Sequence, residues 1–359
     1  MAFKNVLCFG TINPDFIYFI DNLPVLGGDI RSNKYKIRPG GTAINCAENI
    51  ANWGTNVAVA GNSIGNDEFG KYLINYLDLS GIRYESVIIN EHFTPTCSIY
   101  VDKKGERTII SSGYEFCEWS DMNKINDFDS LIVDRYSIPF IKDDLKKLNK
   151  DIFITQAGYQ EEIEYKINFL VVSKDEIGVE EANRLLSEGL VDWILLTSSN
   201  LPARLLSNEG TLEITPPDFK TINSTGAGDA TAAYIGAFGI ENIIESVKGA
   251  CAAGAITAGT EESPTFEKII EISKLVEIKP RWGFYDFSIF SLKWNMAVAF
   301  KAPVKDIVFG YEVVETYDII SKIPAFSDFN EDIVIPTMEE CAKFAEEVLA
   351  PINAIGDQQ

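Results

Sequence analysis

One stretch constrains the fold of this chain more than any other. Residues 223–229 read Asn-Ser-Thr-Gly-Ala-Gly-Asp, and the small residues Ala-Thr-Ala-Ala follow directly. An extended segment and Pro216-Pro217 precede the stretch, and small or apolar residues continue after it as far as Phe238. This pattern predicts a buried α-helix that is entered through a glycine turn. Gly226 and Gly228 are therefore expected at a helix N-terminus.

A glycine turn at a helix N-terminus can bind an anion, because the first amide groups have no intrahelical partner and carry the positive end of the helix dipole. The amides of Gly226, Ala227 and Gly228 could close on a phosphate or another oxyanion. Asp229 falls in the first turn, where its carboxylate is stabilised and could take the proton of an attacking hydroxyl. Tight helix packing is the alternative explanation of these glycines.

Two better-known phosphate motifs do not match this stretch. The GxxxxGK[ST] loop needs a lysine, and the GxGxxG/A fingerprint needs glycine or alanine at the position of Thr231 and a location near the N-terminus. An anion site here would therefore be of another type.

The overall composition restricts where the protein is expected to be found and which classes of partner it is expected to bind. With 359 residues and 46% hydrophobic content, the chain can form one large domain or two ordinary ones. Its net charge of -22 disfavours nucleic acid and anionic membrane surfaces as partners. No apolar run has the length of a membrane span, and the N-terminus does not resemble a signal peptide. We expect a cytoplasmic protein.

Cysteine and histidine usage excludes several site classes. The six cysteines are widely spread without a CxxC pair, and His92 is the single histidine. Neither a zinc site nor a disulfide framework is indicated. A Ser-His-Asp hydrolase is disfavoured for the same reason.

A second diglycine lies near the N-terminus. Gly40-Gly41 opens a predicted helix, and Asn45 lies one turn inside it, facing back toward the glycines. Upstream, residues 6–10 and 16–20 are predicted strands with Asn13 and Asp15 in the loop between them. Loops at strand ends hold ligand contacts in α/β proteins, although Asn-Pro-Asp is also ordinary turn chemistry.

The middle of the chain alternates short apolar runs with charged helical stretches from residue 113 to residue 200, which predicts a parallel sheet covered by helices. Before it, alternating runs within residues 97–111 predict a β-hairpin that carries Arg107.

The two glycine motifs resemble those of the PfkB, or ribokinase-like, carbohydrate kinases: Ser-Thr-Gly-Ala-Gly-Asp before small residues, and Gly40-Gly41 with Asn45 and then Gly54. The resemblance implies an α/β, Rossmann-like ribokinase fold, with a mostly parallel central sheet flanked by helices. It also implies a small β-sheet lid, formed by strands at about residues 29–37 and 97–111, through which such proteins can form a homodimer.

The resemblance assigns roles to the motif residues. Asp229 would be the catalytic base, and the amides of Gly226, Ala227 and Gly228 would stabilise charge on the transferred phosphoryl group. The small sugar substrate would be bound by Asn13, Asp15, Gly40, Gly41, Asn45 and Arg107. A solvent-facing strand charge remains the alternative for Arg107.

The same resemblance implies ATP and Mg2+ as cosubstrate and cofactor. The nucleotide would be bound by Thr197, Ser224, Thr225, Gly226 and Gly228. Glu176 matches the glutamate of an Asn-x-x-Glu motif that organises Mg2+ and phosphate indirectly, through water.

Four positions depart from the family pattern. Ser173 replaces the asparagine of that motif, Ser199 and Pro202 stand where two glycines approach the nucleotide, and Asn223 replaces an aspartate associated with a monovalent cation. A side chain narrows a site where backbone approaches a phosphate. These departures place nucleotide affinity and any need for a monovalent cation in question.

The kinase resemblance covers residues 1–278 and ends before a junction at residues 279–295. Residues 296–359 resemble the extreme N-terminus of an acyl-CoA dehydrogenase, without the part of that family that carries flavin and acyl-CoA sites. A fusion or a gene-boundary error is the favoured interpretation, and an acidic helical tail is the alternative.

Together, these features predict ATP-dependent phosphorylation of a hydroxymethyl group of a small sugar. Two alternatives remain: a nucleoside kinase of the same fold, and a catalytically weak sugar-binding or regulatory protein, which the four departures suggest.

Overall fold

The computed structural model divides into two compact units, Met1–Phe287 and Ser288–Gln359, which are described separately. The structure describes residues 2–32, 34–103, 105, 107–122, 127–148, 151–160, 163–198, 202–217, 225–260, 263–280 and 331–344.

The first unit is built on a mostly parallel sheet, as the sequence predicts. Its described strands are β1 (Asn5–Gly10), β4 (Asn56–Gly61), β9 (Ser130–Asp134), β10 (Phe153–Ala157), β11 (Ile167–Ser173), β12 (Val191–Thr197), β13 (Ala203–Ser207), β14 (Gly210–Thr215) and β15 (Glu277–Pro280). They follow the order β15-β14-β13-β12-β11-β10-β9-β1-β4. Pairing is parallel from β4 to β12 and antiparallel from β12 to β15.

Both faces of this sheet are buried, which explains why its central strands are continuous apolar runs. Along β1, Val6 and Cys8 face one apolar core, while Leu7 and Phe9 face the other. The first core contains helices α1 (Thr42–Asn52), α2 (Glu68–Ser80), α5 (Ala227–Phe238), α6 (Ile243–Gly259) and α7 (Phe266–Ser273). The second contains α3 (Ile138–Leu145) and α4 (Val179–Ser187).

Helix α5 packs tightly against the sheet at Gly236. A Cβ atom added at Gly236 would come within 2.4 Å of the Ile132 side chain on β9, so the helix can approach the strand only because this residue is glycine. The small residues of α5 thus hold its N-terminus against the carboxyl edge of the sheet, where parallel strands of α/β proteins place ligand sites.

A second, four-stranded sheet forms the predicted lid. It has the order β3-β2-β7-β8, with β2 (Asn13–Phe19), β3 (Lys34–Gly40), β7 (Thr96–Val101) and β8 (Arg107–Ser112). A two-residue pair, β5 (Ile64–Gly65) with β6 (Ile89–Asn90), and a 3₁₀ turn (Tyr114–Phe116) complete the described elements of this region.

The lid corrects two expectations. Asn13 and Asp15 lie in strand β2 rather than in a loop, because Asn13, Pro14 and Asp15 pair in register with Gly40, Pro39 and Arg38 of β3. The sequence predicted a lid strand at about residues 29–37. The observed strand, β3, begins only at Lys34, so residues 29–32 do not belong to it.

The predicted end of the kinase domain, at residue 278, is not tested by the C-terminal part of the chain. Strand β15 pairs with β14 through Pro280, two residues beyond the predicted end of the kinase domain. In the second unit, the described segment is helix α8 (Glu331–Phe344), which lies within the range of the predicted C-terminal extension. The domain boundaries and the resemblance of 296–359 stay predictions.

Within the described residues, no helix combines the length and the apolar character that crossing a membrane requires.

Candidate active site

The N-terminus of α5 has the geometry that its glycines predict. Gly226 is the N-cap residue, and its φ of 82° lies in the left-handed region that other residues rarely adopt. Ala227 begins the helix, and Asp229 lies in its first turn. Asn223 and Ser224 lie outside the described residues, so their predicted roles have no structural counterpart here.

Asp229 is held by a hydrogen-bond chain that begins in the lid. Nδ2 of Asn45, on α1, donates to Oδ2 of Asp229 at 2.7 Å. Nη2 of Arg38, on lid strand β3, donates to Oδ1 of Asn45 at 3.4 Å. Because the amide oxygen of Asn45 accepts from Arg38, its NH2 group faces Asp229. Arg38 thereby connects the lid to the carboxylate.

A second carboxylate, Asp15, lies beside the same arginine. Its Oδ2 is 3.5 Å from Nε of Arg38, and its Oδ1 accepts a hydrogen bond from Nδ2 of Asn13 at 2.8 Å. The hydroxyl of Tyr114 donates to Oδ1 of Asn13 at 2.7 Å. A Cβ atom at Gly40 would lie 2.2 Å from the Asp15 carboxyl, so glycine at this position makes room for it.

Burial raises the pKa values of both carboxyl groups above their usual range. For Asp229, the hydrogen bond from Asn45 and the charges of Arg107 and Arg38 oppose this shift, while the nearby Asp134 adds to it. For Asp15, the charge of Arg38 and the hydrogen bond from Asn13 are the main opposing effects. The two arginines therefore favour the ionised forms that a base or a hydrogen-bond acceptor requires.

Asp134 supports the floor of the site. It is 1% exposed, and its Oδ2 accepts hydrogen bonds from the amide and the hydroxyl of Thr11 at 2.7 and 2.8 Å. Its Oδ1 accepts from the amide of Ser137 at 2.7 Å. The hydroxyl of Thr11 in turn accepts from the amide of Thr42 at the start of α1, 3.0 Å away. One buried carboxylate thus connects β1, α1 and β9.

A cavity of about 1170 Å³ lies at the carboxyl edge of the main sheet. Asp15, Asn45 and Asp229 line it, whereas Arg38 and Asp134 contact lining residues without lining it themselves. We call the part near β1 the β1 half; it contains Asn13, Asp15, Asn45 and Arg107. The part near β12 is the β12 half; it contains Ser173, Thr197, Ser198 and Pro202. The predicted residues that line this cavity are Asn13, Asp15, Gly41, Asn45, Arg107, Glu176, Thr197, Thr225, Gly226, Ala227, Gly228 and Asp229. Gly40 does not line it but lies behind Asp15.

The β12 half contains fewer fixed polar contacts among the described residues. The hydroxyl of Thr197 donates to the carbonyl oxygen of Val172 at 3.3 Å. The hydroxyl of Ser198 is buried and has no hydrogen-bond partner within the described part of the chain. Ser199 lies outside the described residues.

Glu176 does not have the surroundings of a metal ligand. One carboxylate oxygen forms an ion pair with Nη1 of Arg135, and the other accepts a hydrogen bond from the amide of Ser173 at 3.2 Å. Among the described residues, no group of three or more His, Cys, Asp or Glu side chains could hold a metal ion. The described residues therefore do not form a Mg2+ site from protein ligands alone, and the indirect role of Glu176 through water stays a prediction.

The sequence did not predict four residues of this site: Arg38, Tyr114, Asp134 and Arg135. Two of them could have been found from the sequence. Arg38 is a charged residue directly before Pro39-Gly40-Gly41, and Asp134 is a carboxylate at the end of a buried strand, where α/β proteins place ligand sites. Tyr114 meets Asn13 across 101 positions of sequence, and nothing local indicates that contact.

Sequence comparison finds similarity to proteins described as carbohydrate or sugar kinases. Residues 4–131 match the family model described as pfkB family carbohydrate kinase. A protein of Pyrococcus horikoshii, described as a "putative sugar kinase", is 26% identical over 257 residues, which span 64% of this chain and 82% of that protein.

Solved structures share the fold. Ribokinase from Thermotoga maritima has a TM-score of 0.62 at 20% identity, covering 75% of this chain and 99% of that one. Ribokinase from Cryptococcus neoformans in complex with ADP has a TM-score of 0.61 at 18% identity, covering 76% and 99%. A nucleoside kinase from Methanocaldococcus jannaschii has a TM-score of 0.60 at 19% identity, covering 76% and 98%.

The match over residues 4–131 confirms the resemblance to pfkB family carbohydrate kinases over that part of the chain, and the solved structures show that the chain shares the ribokinase fold.

Proposed function

We propose that this protein transfers the terminal phosphoryl group of ATP to a hydroxymethyl group of a small sugar. The observation that carries the proposal is Asp229: a partly buried carboxylate at the glycine turn of α5, oriented by Asn45, in a cavity shared with Asp15 and Arg107. A base and an anion-binding turn at one point are what phosphoryl transfer to a hydroxyl requires.

In this mechanism, Asp229 accepts the proton of the attacking hydroxyl. The new bond joins the sugar oxygen to phosphorus, the bond from phosphorus to the bridging oxygen of ATP breaks, and ADP leaves. The amides at the turn of Gly226, Ala227 and Gly228 stabilise the charge on the transferred group. The remaining contribution of the protein is positioning.

The β1 half binds the sugar. Asp15 accepts hydrogen bonds from sugar hydroxyls, and Arg107 donates to the sugar or covers it from the lid. Asn13 is 1% exposed and bonded to both Asp15 and Tyr114, so it acts on the sugar by orienting Asp15. A site that satisfies each hydroxyl rejects analogues that lack one, because buried polar groups are then left unpaired.

The β12 half binds the nucleotide through Thr197, Ser198 and Thr225. Drug-sized ligands occupy pockets of roughly 300–1,000 Å³. A cavity of about 1170 Å³ therefore suits two ligands side by side better than one sugar. Mg2+ that arrives with the nucleotide stays a prediction, as does a role for a monovalent cation.

One observation favours a second candidate, a nucleoside kinase. Aromatic residues line the cavity at Tyr114, Trp119, Tyr136 and Phe140, and the rings of Trp119 and Phe140 stack with centroids 4.5 Å apart. Aromatic surfaces of this kind bind nucleobases by stacking.

A coupled assay of ADP release over a panel of pentoses, hexoses and nucleosides tests the proposal. We expect turnover with a sugar that carries a primary hydroxyl, and no turnover with its deoxy analogue at that carbon. Asp229→Asn serves as the negative control. Turnover restricted to nucleosides would favour the second candidate, and ADP release independent of any acceptor would contradict both.

A further inference from the structure

Arg135 is an arginine that the predicted site does not include. It follows strand β9 directly, and its side chain crosses the end of β10 to reach Glu176, in the loop after β11. Gly158, after β10, makes this path available: a Cβ atom there would lie 2.9 Å from Cδ of Arg135, and its φ of 81° is in the left-handed region. The backbone is thus shaped around the arginine.

The guanidinium of Arg135 is fixed on its protein side. Nη1 pairs with the Glu176 carboxylate, and Nη2 donates to the hydroxyl of Tyr136 at 2.9 Å. The guanidinium carbon lies 4.8 Å from the centroid of the Tyr136 ring. The side chain is 29% exposed and lines the cavity. A guanidinium held in this way loses little conformational freedom when it binds a ligand.

Its position along the sheet is between the two halves of the cavity. Strand β1 leads to Asn13 and Asp15, and β12 ends at Thr197. Strands β9, β10 and β11 lie between them, and Arg135 spans from the first of these to the loop after the last. If a sugar occupies the β1 half and a nucleoside the β12 half, the phosphate chain that joins them crosses this region.

We infer that Arg135 contacts the phosphate chain of the bound nucleotide and that Glu176 is a positioning residue for this arginine. The inference rests on the proposed function for the location of the nucleotide. A guanidinium presents paired N–H donors that match phosphate oxygens, and such charge-assisted hydrogen bonds are among the strong ones. Glu176 then acts through the arginine rather than through a metal ion.

Isothermal titration calorimetry with ADP and with adenosine tests this directly, because the two ligands differ only by the diphosphate. For Arg135→Gln we expect ADP affinity to fall by about tenfold or more and adenosine affinity to stay within about twofold. Arg135→Lys keeps the charge without the planar fork and should give an intermediate loss. Binding requires no turnover, so the result is independent of whether any sugar is phosphorylated.

Arg184→Gln is the matched control. Arg184 also forms ion pairs with glutamates, Glu181 and Glu188, but on α4 and outside the residues that line the cavity. We expect its affinities for ADP and adenosine to equal those of the wild type. Thermal melts of each variant verify folding, and if Arg135→Gln does not fold, the ratio of ADP to adenosine affinity in Arg135→Lys decides the question.

Titrations of Glu176→Gln with and without Mg2+ distinguish its two roles. A positioning role predicts the same loss of ADP affinity in excess Mg2+ and in EDTA. A loss confined to Mg2+ would overturn it. Equal losses for ADP and adenosine in Arg135→Gln, unchanged ADP affinity, or a wild-type protein that does not distinguish the two ligands would each overturn the contact between Arg135 and phosphate.

Discussion

The two halves of the cavity differ in how their polar groups are bonded before any ligand arrives. In the β1 half, Tyr114 is hydrogen-bonded to Asn13, and Asn13 to Asp15. Arg38 pairs with Asp15 and donates a hydrogen bond to Asn45, which in turn donates to Asp229. In the described part of the β12 half, Thr197 bonds to a backbone carbonyl and the Ser198 hydroxyl has no partner.

This difference indicates a division of labour. Groups that already hold one another in place recognise a ligand with a small entropic cost and reject one of the wrong shape. Groups without such partners depend on the ligand to satisfy them. We expect selectivity to be concentrated in the β1 half, and the following variants probe that contrast from the largest effect to the smallest.

Replacement of Asp229 by asparagine should have the largest effect. The variant retains the shape of the side chain but removes the base, so we expect kcat to fall by about 10²–10⁴-fold while ADP affinity changes little. Steady-state kinetics and calorimetry measure the two quantities. Unchanged turnover would remove Asp229 from the mechanism.

Loss of a sugar-facing group in the β1 half should come next. Asp15→Ala should weaken apparent sugar affinity by about 1–3 kcal/mol, because a hydrogen bond to a buried group is left unmade. The KM for ATP should stay close to the wild-type value. If the KM for ATP moved and that for the sugar did not, the division between the halves would be wrong.

Arg38→Gln should change the pH dependence more than the maximal rate. The charge of Arg38 lowers the pKa of Asp229, which burial raises, so its removal should raise that pKa further. Because a base works only when ionised, activity is lost as pH falls through this pKa, and the acidic limb of kcat/KM should move to higher pH. Arg38→Lys should move it back.

A uniform loss at every pH in Arg38→Gln, with no displacement of the limb, would indicate that Arg38 only supports the lid. The pH profile therefore separates an electrostatic role from a structural one.

Thr197→Val should have the smallest effect. It removes one hydroxyl from the β12 half and keeps the side-chain shape, so ADP affinity should fall by about 1 kcal/mol or less, with no change in sugar affinity. Calorimetry with ADP measures this. A loss as large as that of Asp15→Ala would erase the contrast between the two halves.

Local patterns were enough to predict the parts of the fold that local forces determine. Gly41 and Gly226 mark the helix starts at Thr42 and Ala227, and the apolar runs mark the central strands. The same rules failed for the first three residues of β2, because Asn-Pro-Asp favours turns and only pairing with β3 makes it part of a strand.

The site was predictable to the extent that its residues belong to short motifs. Asn45 and Asp229 were identified this way, and the structure brings them within 2.7 Å. Arg135 and Tyr114 were missed because their importance comes from contacts with residues distant in sequence, namely Glu176 and Asn13. The role predicted for Glu176, which is to organise Mg2+ and phosphate through water, stays a prediction, and nothing local in the sequence indicated its ion pair with Arg135.

Because α5 approaches β9 closely at Gly236, a change at Gly236 can displace the whole helix, including Asp229 near its N-terminus. Gly236 lies seven residues, or about 10 Å along the axis, beyond Asp229 on the same helical face. A methyl group added there would have to displace the helix or the Ile132 side chain, and a rigid helix transmits displacement to its other end. A substitution that touches no ligand would then be recorded in a genetic screen as a catalytic defect, and distance from the cavity would be a poor guide to tolerance along this helix.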